Sequence, residues 1–205
     1  EKHEKIALVE KCTGPKELFH YFIQLLGQFP YHSFLAKWQK EQLDSLLENL
    51  PLDQALCSHD YSEGYACRFQ DEIQSQYFDE KIVSLHVILY RHLIAEVNGV
   101  QAQTGTGNLQ GAFAVISDDV NQDHDSVLHI QKLISKHLEE SNCTIKKMHE
   151  FKDGCAGQYK SQHCYGDPSC SLATLGYTVQ QNYFATSHAK GEQDAAGSHV
   201  KQKAT

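Results

Sequence analysis

The chain of 205 residues is 40% hydrophobic and 21% charged, with only 4 prolines. This composition excludes a disordered chain and supplies one sizeable domain with an appendage. No stretch approaches the roughly 18 consecutive apolar residues of a membrane span, and no basic and apolar leader is present, so we expect an intracellular protein without membrane contact. The formal net charge of -8 argues against a surface that binds nucleic acid throughout, because phosphate contacts need clustered lysine and arginine.

The cysteines support the same location. Seven of them are scattered along the chain without the compact spacing of a disulfide framework. Reduced thiols suit this pattern better than secreted disulfides, so we expect a nuclear or cytoplasmic protein. The sequence starts at Glu1 and ends at Thr205 in a helix-like segment without a stop signal. We interpret it as a fragment of a longer protein, in which a separate DNA-binding module would lie elsewhere.

Residues 1–52 are predicted to form an appendage. After a strand candidate at residues 6–9, Gly14-Pro15 interrupts the pattern and apolar residues then recur at helical spacing. The first helix carries Leu18, Phe22, Leu25, Leu26 and Phe29, and the second carries Phe34, Trp38, Leu46, Leu47 and Leu50. The pattern predicts a helical hairpin of about 35 residues. Packing is its favoured role, and contact with a partner or with DNA is the alternative.

Residues 53–205 follow the order of elements of a ribonuclease-H-like domain. Strands are predicted at 54–59, around 66–69, at 82–90 and at 112–116, with a Gly- and Gln-rich loop over 98–110. An Asp-rich turn then caps an amphipathic helix with Val127, Ile130, Leu133, Ile134 and Leu138 on its apolar side. A strand at 145–151, a mixed segment at 158–175, a strand at 179–186 and a helix from Gln193 follow. We therefore predict an α/β fold with a ribonuclease-H-like mixed sheet flanked by helices.

Three acidic residues on separate elements are the candidate catalytic and metal-binding residues. Asp60 and Asp153 each close a short apolar stretch, and Asp194 opens the last helix. Carboxylates gathered at the rim of a sheet repel one another unless a cation lies between them, and hard divalent cations prefer oxygen ligands. The pattern predicts a site for two Mg²⁺ or Mn²⁺ ions. Glu192 is the alternative to Asp194, since either could be the ligand and the other the helix cap.

Four blocks of the sequence carry a resemblance to known proteins. The strings CSHDYSEGYACRFQDEIQSQYF, FAVISDDVNQDHDSV, EFKDGCAGQYKSQ and NYFATSHAKGEQDAAGSHVK resemble blocks of uncharacterised transposon-like proteins of invertebrate genomes, and the similarity extends over about residues 34–205. The chain also resembles DDE/D-type transposases and integrases, in which the last two acids stand about as far apart as Asp153 and Asp194, 41 residues. The resemblance implies a metal-dependent transposase whose catalytic acids are Asp60, Asp153 and Asp194 or Glu192.

Structural roles are open for each of these acids. Asp60 could cap a turn, Asp153 could end a strand before Gly154, and a carboxylate in the first turn of a helix is stabilised by the helix dipole. The acidic turn from Asp118 to Asp125 could hold a cation, although such a run is more typical of a solvated loop with a helix cap.

Other polar residues give weaker predictions. Zinc is disfavoured because the cluster of Cys155, His163, Cys164 and Cys170 lacks a paired C-x₂-C unit. Four basic residues flank the proposed site and could contact phosphates, although exposed lysines are usually only solvated: Lys160, His188, Lys190 and Lys201.

The predicted activity is cleavage of a DNA strand followed by strand transfer. One metal ion would activate the attacking water and the other would stabilise the departing 3′ oxygen, and the 3′ hydroxyl would then attack a target strand. The expected partners are DNA, at transposon ends and target, and further copies of the chain. The alternatives are a nuclease of the same fold without strand transfer, an inactive transposon-derived module that binds DNA or protein, and a zinc-stabilised binding domain.

Overall fold

The structure, a computed structural model, describes residues 12–67, 81–93, 96–97, 100–101, 108–141, 143–153, 162–184 and 192–203. The helices are α1 (Pro15–Leu26), α2 (Phe29–Glu48), α3 (His124–Glu140), α4 (Gln162–Leu175) and α5 (Glu192–Lys203). The strands are β1 (Gln54–Cys67), β2 (Lys81–Leu93), β3 (Glu96–Val97), β4 (Val100–Gln101), β5 (Asn108–Ser117), β6 (Lys147–Lys152) and β7 (Thr178–Tyr183). Within these ranges, no helix has the length and apolar character needed to span a bilayer.

A five-stranded mixed sheet in the order β5-β2-β1-β6-β7 forms the centre of the fold. Strands β5, β2 and β1 are antiparallel neighbours, whereas β1, β6 and β7 are parallel and are joined by crossovers that contain α3 and α4. Strands β3 and β4 make a separate two-stranded ribbon. The predicted α/β fold, a ribonuclease-H-like mixed sheet flanked by helices with an N-terminal helical hairpin, is confirmed.

Helices α3 and α4 cover one face of the sheet. The side chain of Asp123 caps α3 by accepting a hydrogen bond from the backbone N–H of Ser126 at 3.0 Å. The predicted apolar side of α3 is the buried one, and it packs on the inward residues of β1, β2 and β6. The residues of this core include Ala55, Cys57, Ile88, Ile130, Ile134, Leu138 and Met148.

Helices α2 and α5 lie on the opposite face. Residues Leu43, Leu46 and Leu47 of α2 pack on Leu56 and Phe151 of the sheet, so the second half of α2 has the packing role expected for the hairpin. In contrast, α1 buries none of its residues. Large apolar side chains therefore stay exposed along α1 and the first half of α2.

Several predicted boundaries are wrong. Strand β1 does not end before Asp60 but continues to Cys67, because it stays paired with β2 through a register shift between Ser62 and Tyr65. The supposed separate strand at 66–69 begins as the end of β1. The mixed segment at 158–175 contains helix α4. The sequence pattern did not predict this helix because Gly166 and Pro168, which disfavour helices, lie inside it. The strand candidate at residues 6–9 lies outside the described residues.

Candidate functional site

Two of the predicted acids occupy equivalent positions on neighbouring strands. Strands β1 and β6 are parallel, and Ser58 pairs with Phe151 in their register. Asp60 and Asp153 each follow two residues later, so they share a face of the sheet on strands that lie roughly 4.8 Å apart. Parallel pairing ends here because β6 ends at Lys152, and Asp153 directly follows it. Asp60 and Asp153 thus both lie just beyond the point where β1 and β6 stop pairing, which is the middle of β1 and the carboxyl end of β6.

Helix α5 brings the third acid to the same face. Gln193 and Gly197, one turn apart, are the buried residues of this helix. Gly197 lies over β1 and β2, where an added methyl group would stand 3.1 Å from Ser62 Oγ and 3.4 Å from Val87 Cγ2. This close approach places α5 above Ser62, two residues after Asp60 on β1, and Val87, which pairs with Asp60 on β2. Asp194 lies three residues before Gly197 in the same helix. Asp194 itself is exposed.

The electrostatics of Asp60 show that the three aspartates interact. Burial raises the pKa of Asp60 from its usual 3.8 to about 6, and the negative charges of Asp153 and Asp194 both contribute to the rise. A hydrogen bond from the backbone N–H of Tyr61 to Asp60 Oδ1, at 2.8 Å, acts in the opposite direction. The sequence-predicted residues Asp60, Asp153 and Asp194 are therefore close enough for the charges of Asp153 and Asp194 to act on Asp60. We call them the carboxylate site.

Glu192, the alternative third acid, has a different partner. Its carboxylate forms an ion pair with the guanidinium of Arg91 on β2. Arg91 is on the same face of β2 as Val87, which α5 covers. The pair joins the start of α5 to the sheet, whereas Asp194 is among the charges that raise the pKa of Asp60. The geometry favours Asp194 over Glu192 as the acid that acts with Asp60.

The donor set suits a hard cation in its chemistry, because all three groups are carboxylates. Across the residues described, which include these aspartates, no group of three or more His, Cys, Asp or Glu side chains is arranged to hold a metal ion. The aspartates are within electrostatic range without forming a ready coordination sphere. Binding of Mg²⁺ or Mn²⁺ at the carboxylate site stays a prediction.

Other predicted residues are placed differently. Asp119 and Asp123 have structural roles in the acidic turn, since Asp119 Oδ1 accepts from the N–H of Asn121 at 2.9 Å and Asp123 caps α3. Of the zinc candidates, Cys170 is exposed, Cys155 lies outside the described residues, and the side chains of His163 and Cys164 are outside the description too. Lys160, His188 and Lys190 also lie outside it, while Lys201 is on α5.

The sequence analysis missed a buried polar cluster on the other face of the sheet. Its members are His59, His86, Gln131, Glu150 and Lys152, all of them 4% exposed or less. Lys152 Nζ lies 2.8 Å from Glu150 Oε2, and Gln131 Nε2 donates to both oxygens of Glu150 at 2.8 and 2.9 Å. His59 Nε2 lies 3.8 Å from Glu150 Oε2, and His59 Nδ1 lies 2.9 Å from His86 Nε2. The charges of this cluster are compensated within the protein.

The pKa values in the buried polar cluster follow from this compensation. Burial raises the pKa of Glu150, but Lys152 and His59 lower it more strongly, so the net result is a pKa below the usual value and an ionised carboxylate. Burial lowers the pKa of His86 well below its usual value, so this imidazole is neutral. A signal for the cluster existed in the sequence: His86 interrupts an apolar strand, and Glu150 and Lys152 flank Phe151 with strand alternation.

The comparisons with known proteins identify a family without an assigned activity. The model of a domain of unknown function, DUF8701, matches residues 39–205, from within α2 to the end of the chain. No curated protein matches the sequence. Among solved structures, a Ppx/GppA family member from Aquifex aeolicus is similar over 63% of this chain, with 7% identity and a TM-score of 0.29. The similar region spans 35% of that protein's chain, and a similarity this weak carries no inference about activity.

Proposed function

We propose that this chain, which belongs to the family of the DUF8701 domain of unknown function, is a metal-dependent enzyme that cleaves DNA strands and transfers them to a target strand. The observation that carries the proposal is the raised pKa of Asp60 beside Asp153 and Asp194. Bringing the like charges of Asp60, Asp153 and Asp194 together costs free energy, and a bound divalent cation would offset that cost. The proposed location is the nucleus or the cytoplasm.

The residues of the carboxylate site have separate tasks in this proposal. Asp60 at the centre of β1 and Asp153 beside it would bind both ions. Asp194 on α5 would be a further ligand of the second ion. Two Mg²⁺ or Mn²⁺ ions bound there would lower the pKa of an attacking water and stabilise the departing 3′ oxygen. Arg91 pairs with Glu192 and would thereby hold the start of α5 and position Asp194. The acidic chain would rely on these cations to approach DNA phosphates.

The test is a DNA cleavage assay with Mg²⁺ or Mn²⁺ on the wild type and matched variants. Removing one electrostatic stabiliser of a transition state commonly costs about 10²- to 10³-fold in rate, so Asp60→Asn, Asp153→Asn and Asp194→Asn should each lose at least that much. Glu192→Gln should keep more activity than Asp194→Asn. Asp44→Asn, which removes an exposed carboxylate paired with Lys40 on α2, is the control and should match the wild type. Retained cleavage in Asp153→Asn, with an unchanged circular dichroism spectrum, would refute the assignment.

A nuclease of the same fold is the second candidate, because the carboxylate site suits water attack whether or not strand transfer follows. A gel assay that separates cut from joined products distinguishes the two activities. Joined products support the transposase-like reaction, and cut products alone support the nuclease. Absence of both in the wild type, with DNA retained in a gel-shift assay, supports the inactive binding module.

We propose that the hairpin of α1 and α2 binds a second copy of this chain. Eleven large apolar side chains between Leu18 and Trp38 are 37% to 71% exposed. Large side chains of roughly 150 to 250 Å² each, about half exposed, give on the order of 1,000 Å² per copy, above the roughly 800 Å² per partner of a stable interface. From Leu18 to Trp38 the sequence has a single charged residue, Lys37, so two chains of charge -8 can meet there with little repulsion.

Sedimentation velocity tests this interface. The wild type should sediment as a dimer, and Phe22→Asp should shift it to the monomer. Leu172→Asp, at a residue 63% exposed on α4, is the matched control and should leave the dimer intact. A monomeric wild type would exclude the second copy as the partner of the hairpin.

A further inference from the structure

A cavity between α2 and strands β6 and β7 is lined by aromatic rings and side-chain amides. Its volume is about 400 Å³, which falls in the range of small-molecule sites. Trp38, Gln42 and Leu46 follow one another at helical spacing and form the wall on α2. The opposite wall, on the sheet, includes Phe151, Gln180, Asn182 and Phe184. We call this the amide cavity.

Aromatic rings lie on both walls of the amide cavity. Trp38, the single tryptophan of the chain, is 48% exposed on α2. On the sheet, Phe151 and Phe184 pack against each other with ring centroids 5.6 Å apart. Removing apolar surface from water is favourable, and aromatic rings stack best on other flat rings. A planar ligand in the amide cavity would therefore gain free energy by covering these rings.

The polar groups of the amide cavity are uncharged. Among the described residues of its lining, none is Asp, Glu, Lys or Arg. Burial and the charge of Lys147 lower the pKa of His149, another lining residue, so this ring adds no charge at neutral pH. Gln42 and Gln180 are exposed, and each amide offers donors and an acceptor side by side. Such an amide matches the edge of a nucleobase, as in the pairing of glutamine or asparagine with adenine. The lining favours an uncharged planar ligand with a polar edge.

Hydrogen bonds to the backbone hold the two walls of the amide cavity in place. Gln39 Nε2 on α2 donates to the backbone oxygen of Tyr183 at 2.8 Å and so ties the helix to β7. Asn182 Nδ2 donates to the backbone oxygens of Glu150 and Gln180, at 3.2 and 3.3 Å. Walls that are already ordered reduce the entropy that a ligand loses on binding. The amide cavity is therefore formed before any ligand enters.

The amide cavity shares a face of the sheet with the carboxylate site. Phe151 stands two residues before Asp153, so the two lie on one face and roughly 7 Å apart along the chain. The N–H of Phe184 donates to the backbone oxygen of Lys152 at 3.0 Å, which places Phe184 beside Asp153. Successive phosphates of a DNA strand advance by about 3.4 Å along the helix axis, so roughly 7 Å corresponds to about two nucleotides. One strand can reach both places.

We propose that the amide cavity binds one unpaired nucleobase of a DNA strand whose backbone lies at the carboxylate site. The base would stack on Trp38 and pair its polar edge with the amide of Gln42 or Gln180. The side chains of phenylalanine, tyrosine and tryptophan fit less well, because each has at most one polar group to meet these amides. That the base belongs to DNA rests on the proposed function, whereas a free nucleoside would offer the same chemistry.

Titration of the whole chain with defined probes tests the proposal, and the fluorescence of Trp38 reports it because the chain has no other tryptophan. The probes are a short single strand of deoxyadenosines, an abasic strand of the same length, and deoxyadenosine alone. The strand with bases should quench Trp38 and bind at least about 5-fold more tightly than the abasic strand, the lower limit for stacking of one base on an aromatic ring. Equal binding of the two strands would overturn the proposal. Quenching by deoxyadenosine, with equal binding of the strands, would assign the amide cavity to a free nucleoside instead of DNA.

Variants of exposed residues locate the binding, with the fluorescence anisotropy of a labelled strand as the readout. Trp38→Ala should weaken binding of the strand with bases at least about 5-fold, and Trp38→Phe should recover part of the loss. Gln180→Leu should weaken it on the order of 2- to 10-fold, as loss of one hydrogen bond does. None of these variants should change binding of the abasic strand. Tyr31→Ala, which removes a ring of α2 that is 71% exposed and outside the lining, is the matched control and should bind as the wild type does. Equal losses in Trp38→Ala and Tyr31→Ala would assign the effect to the hairpin and overturn the proposal.

The same variants separate this inference from the proposed function. Deoxyadenosine has no phosphate, so Asp153→Asn should abolish cleavage and leave quenching by deoxyadenosine unchanged. A wild type that prefers the strand with bases but does not cleave it would refute the enzyme and retain the amide cavity as a base-binding site. Cleavage in the wild type, with no preference for bases and no effect of Trp38→Ala, would retain the enzyme and refute the amide cavity.

Discussion

Two carboxylates on adjacent strands of one sheet are in opposite electrostatic states. Glu150 on β6 is buried, which raises its pKa, yet the pKa lies below the usual value because Lys152 and His59 lower it more strongly. Asp60 on β1 is less buried, yet its pKa is about 6, because burial and the like charges of Asp153 and Asp194 raise it. In the buried polar cluster the protein supplies its own counter-charge, and we propose that a bound cation supplies it at the carboxylate site. On this interpretation the buried polar cluster has a structural role, and the carboxylate site is the proposed functional one.

The largest expected effect on stability comes from breaking the compensated pair. In Lys152→Met, Glu150 keeps its charge in a buried site without the ammonium group 2.8 Å away. Removing one partner of a buried ion pair typically costs about 3 to 5 kcal/mol of unfolding free energy. Urea unfolding measures the loss. The double variant Lys152→Met with Glu150→Gln should recover much of it, because no uncompensated charge remains.

A surface pair provides the control for this experiment. Lys146 lies 3.2 Å from Asp53, and the two side chains are 81% and 48% exposed. Lys146→Met should cost less than about 1 kcal/mol, as exposed ion pairs do. Equal losses in Lys146→Met and Lys152→Met would contradict the view that the buried polar cluster depends on internal compensation.

Removing a charge from the carboxylate site should stabilise the protein, whereas removing one from the buried polar cluster should destabilise it. In the absence of divalent ions at pH 7, Asp60→Asn should raise the unfolding free energy, because it removes a charge that burial, Asp153 and Asp194 disfavour. The gain should stay below about 1 kcal/mol, since Asp60 is only partly buried and solvent screens its neighbours. Thermal unfolding of both proteins in a metal chelator measures it, with Asp44→Asn as the control.

The pH dependence of that gain has a defined direction. The pKa of Asp60 is higher in the folded state than its usual 3.8, so the folded state holds the proton more tightly and the wild type loses stability as pH rises from about 4 to about 6. The difference between Asp60→Asn and the wild type should grow over this window and then level off. A difference that is constant from pH 4 to pH 8 would contradict a raised pKa at Asp60.

Titration of Asp60 by carbon NMR tests the contribution of its neighbours. The wild-type midpoint should be about 6 without metal, and Asp153→Asn or Asp194→Asn should lower it by removing a like charge. Glu192→Gln is the matched control. Because Glu192 pairs with Arg91, this variant should shift the titration midpoint of Asp60 less than Asp194→Asn does. A larger shift with Glu192→Gln than with Asp194→Asn would reverse the choice of the third acid.

The smallest effect on stability is expected at Gly197. A methyl group there would be 3.1 Å from Ser62 Oγ, so α5 should move away from the sheet by a few tenths of an ångström. The better helix propensity of alanine, about 1 kcal/mol, should offset most of the crowding. Gly197→Ala should therefore keep the wild-type melting temperature. It should lower the titration midpoint of Asp60, because Asp194 moves away from Asp60 together with α5. Gly166→Ala on α4, where an added methyl group meets nothing within 4 Å, should change neither the midpoint nor activity.

The sequence predicts the fold better than it predicts the surroundings of the acids. Hydrophobic periodicity defines β2 and α3 because each has a continuous buried side, and the order of elements then indicates the sheet. It did not predict that β1 continues past Asp60, since that depends on pairing with β2. It also left Glu192 and Asp194 undecided, because only the contact of α5 with the sheet puts Glu192 beside Arg91. Long-range contacts carry this information, and local patterns do not.

The central claim is that the carboxylates of Asp60, Asp153 and Asp194 form a shared divalent metal site. Diffraction from crystals soaked in Mn²⁺, recorded at the manganese absorption edge, tests it most directly. We expect two anomalous peaks roughly 3.5 to 4 Å apart, bounded by the side chains of Asp60 and Asp153 on the sheet and Asp194 on α5. Crystals with Mn²⁺ bound elsewhere and no peak between Asp60 and Asp153 would contradict the claim.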